Sequence, residues 1–365
     1  MNAERLHAIA LAIQSDLQKT GVLQKLTQLL NALRSQVQQP NQPQHQQQVS
    51  QAHTDILNSL KNSSADEFSP TWQQVVHEIG LENFLGSRLS TQIDSIFKEN
   101  QITPASALQQ LEHLKEQVTN ASNAIDAAVQ GLNGLSIGSE KLRPGECEVG
   151  VLIPRLLVEN RLDKFSDELK QLTQIFQCFA EVTGSHVSDF KVRTISSSDL
   201  SVFLEAGPKI CAFIASAIDC IVKAYKGLLE IRKSRAELKK AGVPEETLAP
   251  LDEHASKVMN LEIDKFVENV QRQFLKSDDV RTNELTVQLK YSMKKIANRI
   301  DRGLSIEVRM IEGGDHDDDK LKADNENYYS AIQDAKPSMQ FIKAEGDPIL
   351  ALPESPDVAG GPNNS

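Results

Sequence analysis

A run of apolar residues in heptad spacing constrains the fold of this chain more than any other feature. After Pro104, the spacing alternates between three and four residues along Leu111, Leu114, Val118, Ala121, Ile125, Ala128 and Leu132. Such spacing places one apolar stripe along a helix, and that stripe needs a partner helix to cover it. A similar stripe follows Leu23, Leu26, Leu30, Leu33 and Val37. The sequence therefore predicts a mainly α-helical protein that begins with an antiparallel, coiled-coil-like helical bundle over residues 1–135.

Proline and glycine divide this bundle into segments. The first helix is predicted over residues 3–38, and a glutamine-rich linker over residues 36–51, where 9 of 16 residues are Gln and where Pro40 and Pro43 interrupt a helix. Further helices are predicted at about 70–79 and 82–98, and from Pro104 onward. Gly131, Gly134 and Gly138 end the bundle.

The composition changes after Pro144, where β-type runs join the helices. Strands are predicted at Cys147 to Ile153, in a hairpin over 190–204, and again at 304–310. Helices are predicted at 156–183, 208–240, 245–275 and 279–300, of which 208–240 is the long central helix. Residues 145–311 should therefore form a helix-rich α+β module with a small sheet.

The acidic character of the chain lies in its last segment. Residues 311–365 hold 12 Asp or Glu against 4 Lys, which accounts for 8 of the 11 net negative charges. This composition, together with Gly and Pro, predicts a disordered acidic tail over residues 312–365. Because the rest of the chain is nearly neutral, its charge excludes no class of partner.

The cysteines and the N-terminus indicate a reducing, cytoplasmic location. Cys147, Cys178, Cys211 and Cys220 form no Cys-x-x-Cys pair and no zinc-type spacing with His. We expect buried, reduced thiols. The first 17 residues mix polar and apolar residues and do not resemble a secretion signal.

One short pattern has the spacing of a calcium loop. Asp315, Asp317, Asp319 and Glu326 occupy positions 1, 3, 5 and 12 of an EF-hand-like segment, where oxygen ligands could surround Ca²⁺. Lys320 replaces the glycine that the sharp turn requires, and a strand precedes the segment. A solvated acidic hinge is therefore preferred, and no metal or cofactor is predicted.

Two features of the helix predicted over 208–240 suggest alternatives. Its apolar first part, residues 208–229, could act on a membrane, although charged residues interrupt it well before the ~20 apolar residues that a span needs. Its second part carries a basic face that could follow a phosphate backbone, formed by Lys233, Arg235, Lys239 and Lys240. A buried core helix with a solvated face, or with a face that docks the acidic tail, is preferred.

No catalytic signature accompanies these elements. The polar residues 196–199 at the end of a predicted strand lack the Gly-x-Ser-x-Gly context of a nucleophile and are interpreted as a turn. We therefore expect a non-enzymatic helical scaffold or adaptor that binds protein partners or itself. Its predicted interaction seam is the stripe of Leu111, Leu114, Val118, Ala121, Ile125 and Leu132. A membrane-acting effector is the alternative, and nucleic-acid binding is a weaker one.

Overall fold

The computed structural model describes residues 3–100, 102–140, 142–196, 200–275, 280–313, 319–340, 342 and 344–355. The chain divides into two compact units, Met1–Lys141 and Leu142–Ser365. The protein is mainly α-helical with a small antiparallel sheet, as its hydrophobic periodicity predicts.

The N-terminal unit is a helical bundle. Its α-helices are α1 (Ala3–Thr20), α2 (Val22–Gln38), α3 (Pro43–Leu60), α4 (Pro70–Glu78), α5 (Gly86–Glu99) and α6 (Pro104–Gly134). Short 3-10 helices lie at Ser64–Glu67 and Glu82–Phe84. Helix α6 packs against α1 and α2, and α2 packs against α3. The heptad stripe of α6 therefore lies in the core of the bundle.

Two predictions for this unit are wrong in detail. The helix predicted over 3–38 is two helices, because Gly21 adopts a left-handed conformation with φ 59° between them. The glutamine-rich linker predicted over 36–51 is mostly helical, since only the turn at 39–42 separates α2 from α3. Pro43 starts α3 at a position where a proline costs no hydrogen bond, and glutamine itself forms helices well.

The C-terminal unit holds the sheet and the longest helices. Its elements are β1 (Cys147–Leu152), α7 (Leu162–Thr183), β2 (Lys191–Ser196), β3 (Ser201–Ala206), α8 (Pro208–Lys240), α9 (Glu245–Phe274), α10 (Val280–Asp301), β4 (Ser305–Met310) and α11 (Asp319–Ala335). Short 3-10 helices lie at Val187–Asp189 and Lys336–Met339. Helix α7 begins later than predicted, after Glu159 and Asn160, which both have positive φ. Residues 197–199 of the predicted polar turn lie outside the described residues.

The sheet is antiparallel throughout, in the order β2-β3-β1-β4. In β1, one of the two inner strands, Val149 pairs with Leu204 of β3 on one side and with Val308 of β4 on the other. Alternate residues of β1 and β4, among them Val149 and Val308, belong to the main core of the unit. The late strand β4 therefore completes the sheet, as predicted.

Helix α8 is the central core element. It packs against α7, α9, α10 and α11 and against strands β1 and β4. Ile214, Ile221 and Leu228 are buried in the same core as Leu172 and Phe176 of α7. Among the described helices, none has the length and apolar character to cross a membrane.

The tail over residues 312–365, which the sequence predicts to be disordered, is ordered in part, since its described residues include helix α11, a 3-10 helix and a segment that packs on the core. After α11 and its 3-10 helix, residues 344–355 form neither helix nor strand, and we call them the C-terminal segment. Side chains from this whole region join the core, namely Ile332, Ala335, Met339, Ile349, Leu350 and Leu352. The average composition of the tail is acidic, but its apolar residues are grouped. Those of α11 and its 3-10 helix form one stripe, and Ile349, Leu350 and Leu352 form one short cluster, so both groups can be buried.

Candidate functional site

The C-terminal segment lies across helices α8, α9 and α10, which bind its main chain through their side chains. The segment has no helical or sheet hydrogen bonds of its own. Four groove side chains contact its backbone: Arg232 of α8, Ser256 of α9, and Asn298 and Asp301 of α10. We call these residues and the apolar surface between them the groove.

Asp301 is the most buried charge of the groove, with no exposed side-chain surface. One carboxylate oxygen accepts the main-chain N–H groups of Ile349 and Leu350, each at 2.7 Å. The other accepts the Tyr225 hydroxyl at 2.7 Å and Nη1 of Arg232 at 2.8 Å. Both oxygens are therefore satisfied, and half of their hydrogen bonds come from the C-terminal segment.

The negative charge of Asp301 requires a positive partner, because Asp301 is buried and is the last residue of α10. A negative charge at a helix C-terminus opposes the helix dipole, and a buried carboxylate is costly without a partner. Arg232 supplies that partner and also donates from Nη1 to the main-chain oxygen of Asp301 at 2.7 Å. The hydroxyl of Tyr225 contacts both groups, and burial, followed by the charge of Asp301, raises the pKa of Tyr225.

Arg232 also holds the start of the C-terminal segment. Its Nε donates to the main-chain oxygen of Glu345 at 3.2 Å, and its Nη2 donates to that of Gly346 at 2.5 Å. The same guanidinium therefore neutralises Asp301 and binds two carbonyl groups of the segment. A planar group with five donors suits such a task.

Asn298 and Ser256 hold the end of the segment. Nδ2 of Asn298 donates to the main-chain oxygen of Leu352 at 2.9 Å, and the main-chain N–H of Leu352 donates to Oδ1 of Asn298 at 3.1 Å. The N–H of Ala351 donates to the Ser256 hydroxyl at 3.2 Å. All four main-chain N–H groups from Ile349 to Leu352 thus donate to groove side chains. Helices offer no strand edge, so side chains take the role that an edge strand has in strand addition.

The side chains of the segment add apolar and charged contacts. Ile349, Leu350 and Leu352 are buried at 2%, 6% and 4% exposure. The carboxylate of Asp347 lies 2.7 Å from Nζ of Lys239. This hydrogen bond is the main cause that lowers the pKa of Asp347 and raises the pKa of Lys239.

The predicted basic face is partly used by this site. Lys239 binds Asp347, and Arg235 is largely buried, with ion pairs to Glu245 at 2.5 Å and Asp252 at 2.7 Å. Lys233 and Lys240 are exposed. The face therefore does not form one continuous stripe of free cations. Two of its four residues, Arg235 and Lys239, bind acidic residues of the same chain, and the partner of Lys239, Asp347, belongs to the predicted tail.

The predicted interaction seam lies inside the N-terminal bundle. Leu111, Leu114, Val118, Ala121 and Ile125 are buried, and Leu132 is half-buried. The stripe therefore covers neighbouring helices of the same chain and is not an open surface for a partner. Heptad spacing indicates that a helix packs against another helix, but it does not indicate whether that second helix belongs to the same chain or to another one.

The calcium pattern is not supported where the structure describes it. Asp315 and Asp317 lie outside the described residues. Asp319 and Glu326 both belong to α11, where seven residues correspond to about 10.5 Å along the axis. The part of the pattern from Asp319 to Glu326 is therefore helical and does not form the loop that an EF-hand uses. Within the described part of the chain, no group of three or more His, Cys, Asp or Glu side chains could hold a metal ion.

A polar cleft of about 440 Å³ lies between α7 and α10, next to Glu354 of the segment. Arg281, one of the charged residues that line the cleft, pairs with Glu181 and also with Glu284 at 3.3 Å. Burial raises the pKa of the Cys178 thiol in this cleft to about 11, which keeps it protonated and a poor nucleophile.

The groove residues were not among the sequence-predicted sites. Arg232 belongs to the helix that carries the basic face, but Asn298, Asp301 and Ser256 have no motif around them. The sequence gives only a weak indication of this site. It has an Asp at the end of a predicted helix and an aliphatic cluster, Ile349 to Leu352, inside an acidic tail.

Comparison with protein-family models, with curated proteins and with solved structures finds no significant match for this chain.

Proposed function

We propose that this chain is a non-enzymatic adaptor whose C-terminal unit binds an extended peptide segment of a protein partner in the groove. One observation carries the proposal: side chains from three helices bind the main chain of the C-terminal segment at six of its residues, Glu345, Gly346 and Ile349 to Leu352. In this account the segment is an internal ligand that occupies the site.

The chemistry of the groove supports recognition beyond simple packing. Burying a charge such as Asp301 contributes little to stability, because desolvation offsets the attraction of its partner. An apolar cluster alone would have held the aliphatic side chains of the segment. The Asp301, Arg232 and Tyr225 network instead positions acceptors and donors for a peptide backbone, which any extended segment offers.

The internal ligand would act as a competitor. A segment tethered to its own site has an effective concentration in the millimolar range for short flexible linkers. A partner must therefore fit better than the internal segment, or be present at high local concentration. This competition would keep the adaptor closed in the absence of its partner.

In this proposal the heptad stripes hold the N-terminal bundle together, whereas the sequence alone predicts that they contact a partner. Since the stripe of α6 is buried within its own bundle, the N-terminal unit serves as a rigid helical scaffold. The described cysteines are free thiols, and the expected cytoplasmic location remains part of the proposal.

The test uses the full-length chain with an emptied groove. Ile349→Asp together with Leu350→Asp places two charges at buried positions of the segment and should release it, which gives the opened variant. A fluorescent peptide with the sequence of residues 344–355 is then titrated, and its anisotropy is measured. We expect saturable binding to the opened variant and at least about tenfold weaker binding to the parent chain, whose groove is occupied.

Two controls make the outcome decisive. Asn298→Ala in the opened variant removes a groove contact and should weaken binding, whereas Asn283→Ala, on the exposed face of the same helix, should not. A chain cut at a protease site inserted after Gln340, and then dialysed to remove the cleaved C-terminal peptide, provides a second open groove whose own residues are unchanged. The adaptor proposal fails if neither open form binds the peptide while both retain their helical circular dichroism.

A further inference from the structure

We infer that the groove selects a partner segment with a nine-residue pattern: glycine, acidic, any, aliphatic, aliphatic, any, aliphatic, any, acidic. The chain carries this pattern in its internal ligand, from Gly346 to Glu354. The inference rests on the proposed function and adds the identity of the ligand. Each position of the pattern follows from a contact of the docked segment.

The glycine is required for two independent reasons. Gly346 has φ +85°, a conformation that strains any residue with a β-carbon. A β-carbon there would also lie 2.6 Å from Cβ of Ala236 on helix α8. Since that neighbour is a short, rigid side chain on a packed helix, it cannot move aside easily.

The two acidic positions face cations of the groove. The Asp347 carboxylate lies 2.7 Å from Nζ of Lys239 and 4.0 Å from Nη1 of Arg235. At the other end, Glu354 accepts from Nδ2 of Asn298 at 3.0 Å and lies 3.4 Å from Nη1 of Arg299. The charges thus favour a peptide whose two carboxylates are spaced to meet both groups of cations.

The aliphatic positions supply the buried area, and the positions between them face solvent. Ile349, Leu350 and Leu352 are buried, whereas Ala351 is exposed and contributes only its main-chain N–H. The remaining free positions hold exposed prolines in this chain. Proline favours an extended conformation in the residue before it, so it reduces the entropy that a segment loses on binding.

The partner segment belongs to another protein rather than to a second copy of this chain. Two copies that exchange their segments make the same contacts as two closed copies, and they also lose the translational freedom of one molecule. In the sequence, only four residues, 340–343, connect the 3-10 helix to the segment, so docking within one chain is strongly favoured.

Substituted peptides of residues 344–355, titrated into the full-length opened variant, test the pattern. Gly346→Ala should weaken binding at least about tenfold, and Leu352→Asp should abolish it. Asp347→Lys should weaken binding about two- to fivefold at low salt, because the pair is partly exposed. Lys239→Glu in the opened variant should restore the affinity of the Asp347→Lys peptide. Ala351→Lys should change affinity by less than about twofold, as an exposed position does.

The outcomes separate the pattern from the adaptor proposal. If the unsubstituted peptide does not bind, the proposed function itself fails. If it binds and the Gly346→Ala and Asp347→Lys peptides bind equally well, the groove accepts any extended segment and the pattern is wrong. Light scattering of the parent chain should show a monomer. A dimer that disappears in the opened variant would overturn the choice of another protein as partner.

Discussion

Asn298 and Leu352 form two reciprocal hydrogen bonds, in which the amide donates to the Leu352 carbonyl at 2.9 Å and accepts from its N–H at 3.1 Å. One side chain therefore satisfies both main-chain groups of a buried residue in an extended segment. Such a pairing makes the segment part of the folded structure, although only noncovalent contacts hold it against helices α8, α9 and α10. The stability of the C-terminal unit and the occupancy of the groove should therefore change together.

The first prediction concerns this pair. Asn298→Ala leaves the Leu352 N–H and C=O without their partner, which should lower the free energy of unfolding by about 1–3 kcal/mol. Urea titration followed by circular dichroism measures the change, with Asn283→Ala on the same helix as the matched control, expected to stay within about 0.5 kcal/mol. An equal, small effect of both substitutions would contradict the structural role of the pair.

Removal of the C-terminal segment should destabilise the C-terminal unit. A chain that ends before residue 344 exposes the core surface that Ile349, Leu350 and Leu352 cover, and burying each such side chain is worth about 1.5–3 kcal/mol. We expect the thermal transition of this unit to fall by several degrees while that of the N-terminal unit stays in place. An unchanged melting profile would mean that the segment only rests on the surface, as a disordered tail would.

Helix α8 supplies a further test of the core. Ile221→Ala removes a fully buried side chain and should cost about 2–5 kcal/mol. Leu238→Ala on the same helix removes a side chain that is 42% exposed, and it should cost much less, about 0.5 kcal/mol. The difference between the two variants in urea titration is the measurement. A near-zero change for Ile221→Ala would favour a helix that is poised for a membrane.

High pH should destabilise the protein through Cys178. Burial raises the pKa of this thiol from 9.0 to about 11, so the unfolded chain loses the proton at a lower pH than the folded chain does. The stabilisation is therefore complete below pH 9 and declines as pH rises toward 11, by about 2–3 kcal/mol at most. Cys178→Ser should flatten this part of the stability profile. An identical slope in both proteins between pH 9 and 11 would contradict the assignment.

Local signals in the sequence were sufficient for most elements. Gly207 and Pro208 mark the start of α8, and Gly242 follows its end, so its bounds were predicted correctly. The alternation at Ser305 to Met310 identified β4, although its partner strand lies far away in sequence. Each of these signals is a property of a few adjacent residues.

Long-range relationships could not be predicted in the same way. Asp301 is an ordinary acidic residue in the sequence, and its role depends on the main chain of residues 349 and 350 reaching it. Likewise, the left-handed conformation of Gly21 decides whether two stripes form one helix or two. The acidic average of the last segment concealed an aliphatic cluster, because composition averages charge over residues that the fold separates.

Hydrogen exchange of the main-chain N–H groups of residues 349–352 in the full-length parent chain tests the central claim most directly. We expect these amides to be protected in the free protein, since they donate to Asp301, Ser256 and Asn298. Excess unlabelled peptide of residues 344–355 should displace the segment and remove that protection, whereas the same peptide with Leu352→Asp should not. Amides that exchange freely in the free protein, or that stay protected at every concentration of the peptide, would contradict an exchangeable peptide in the groove.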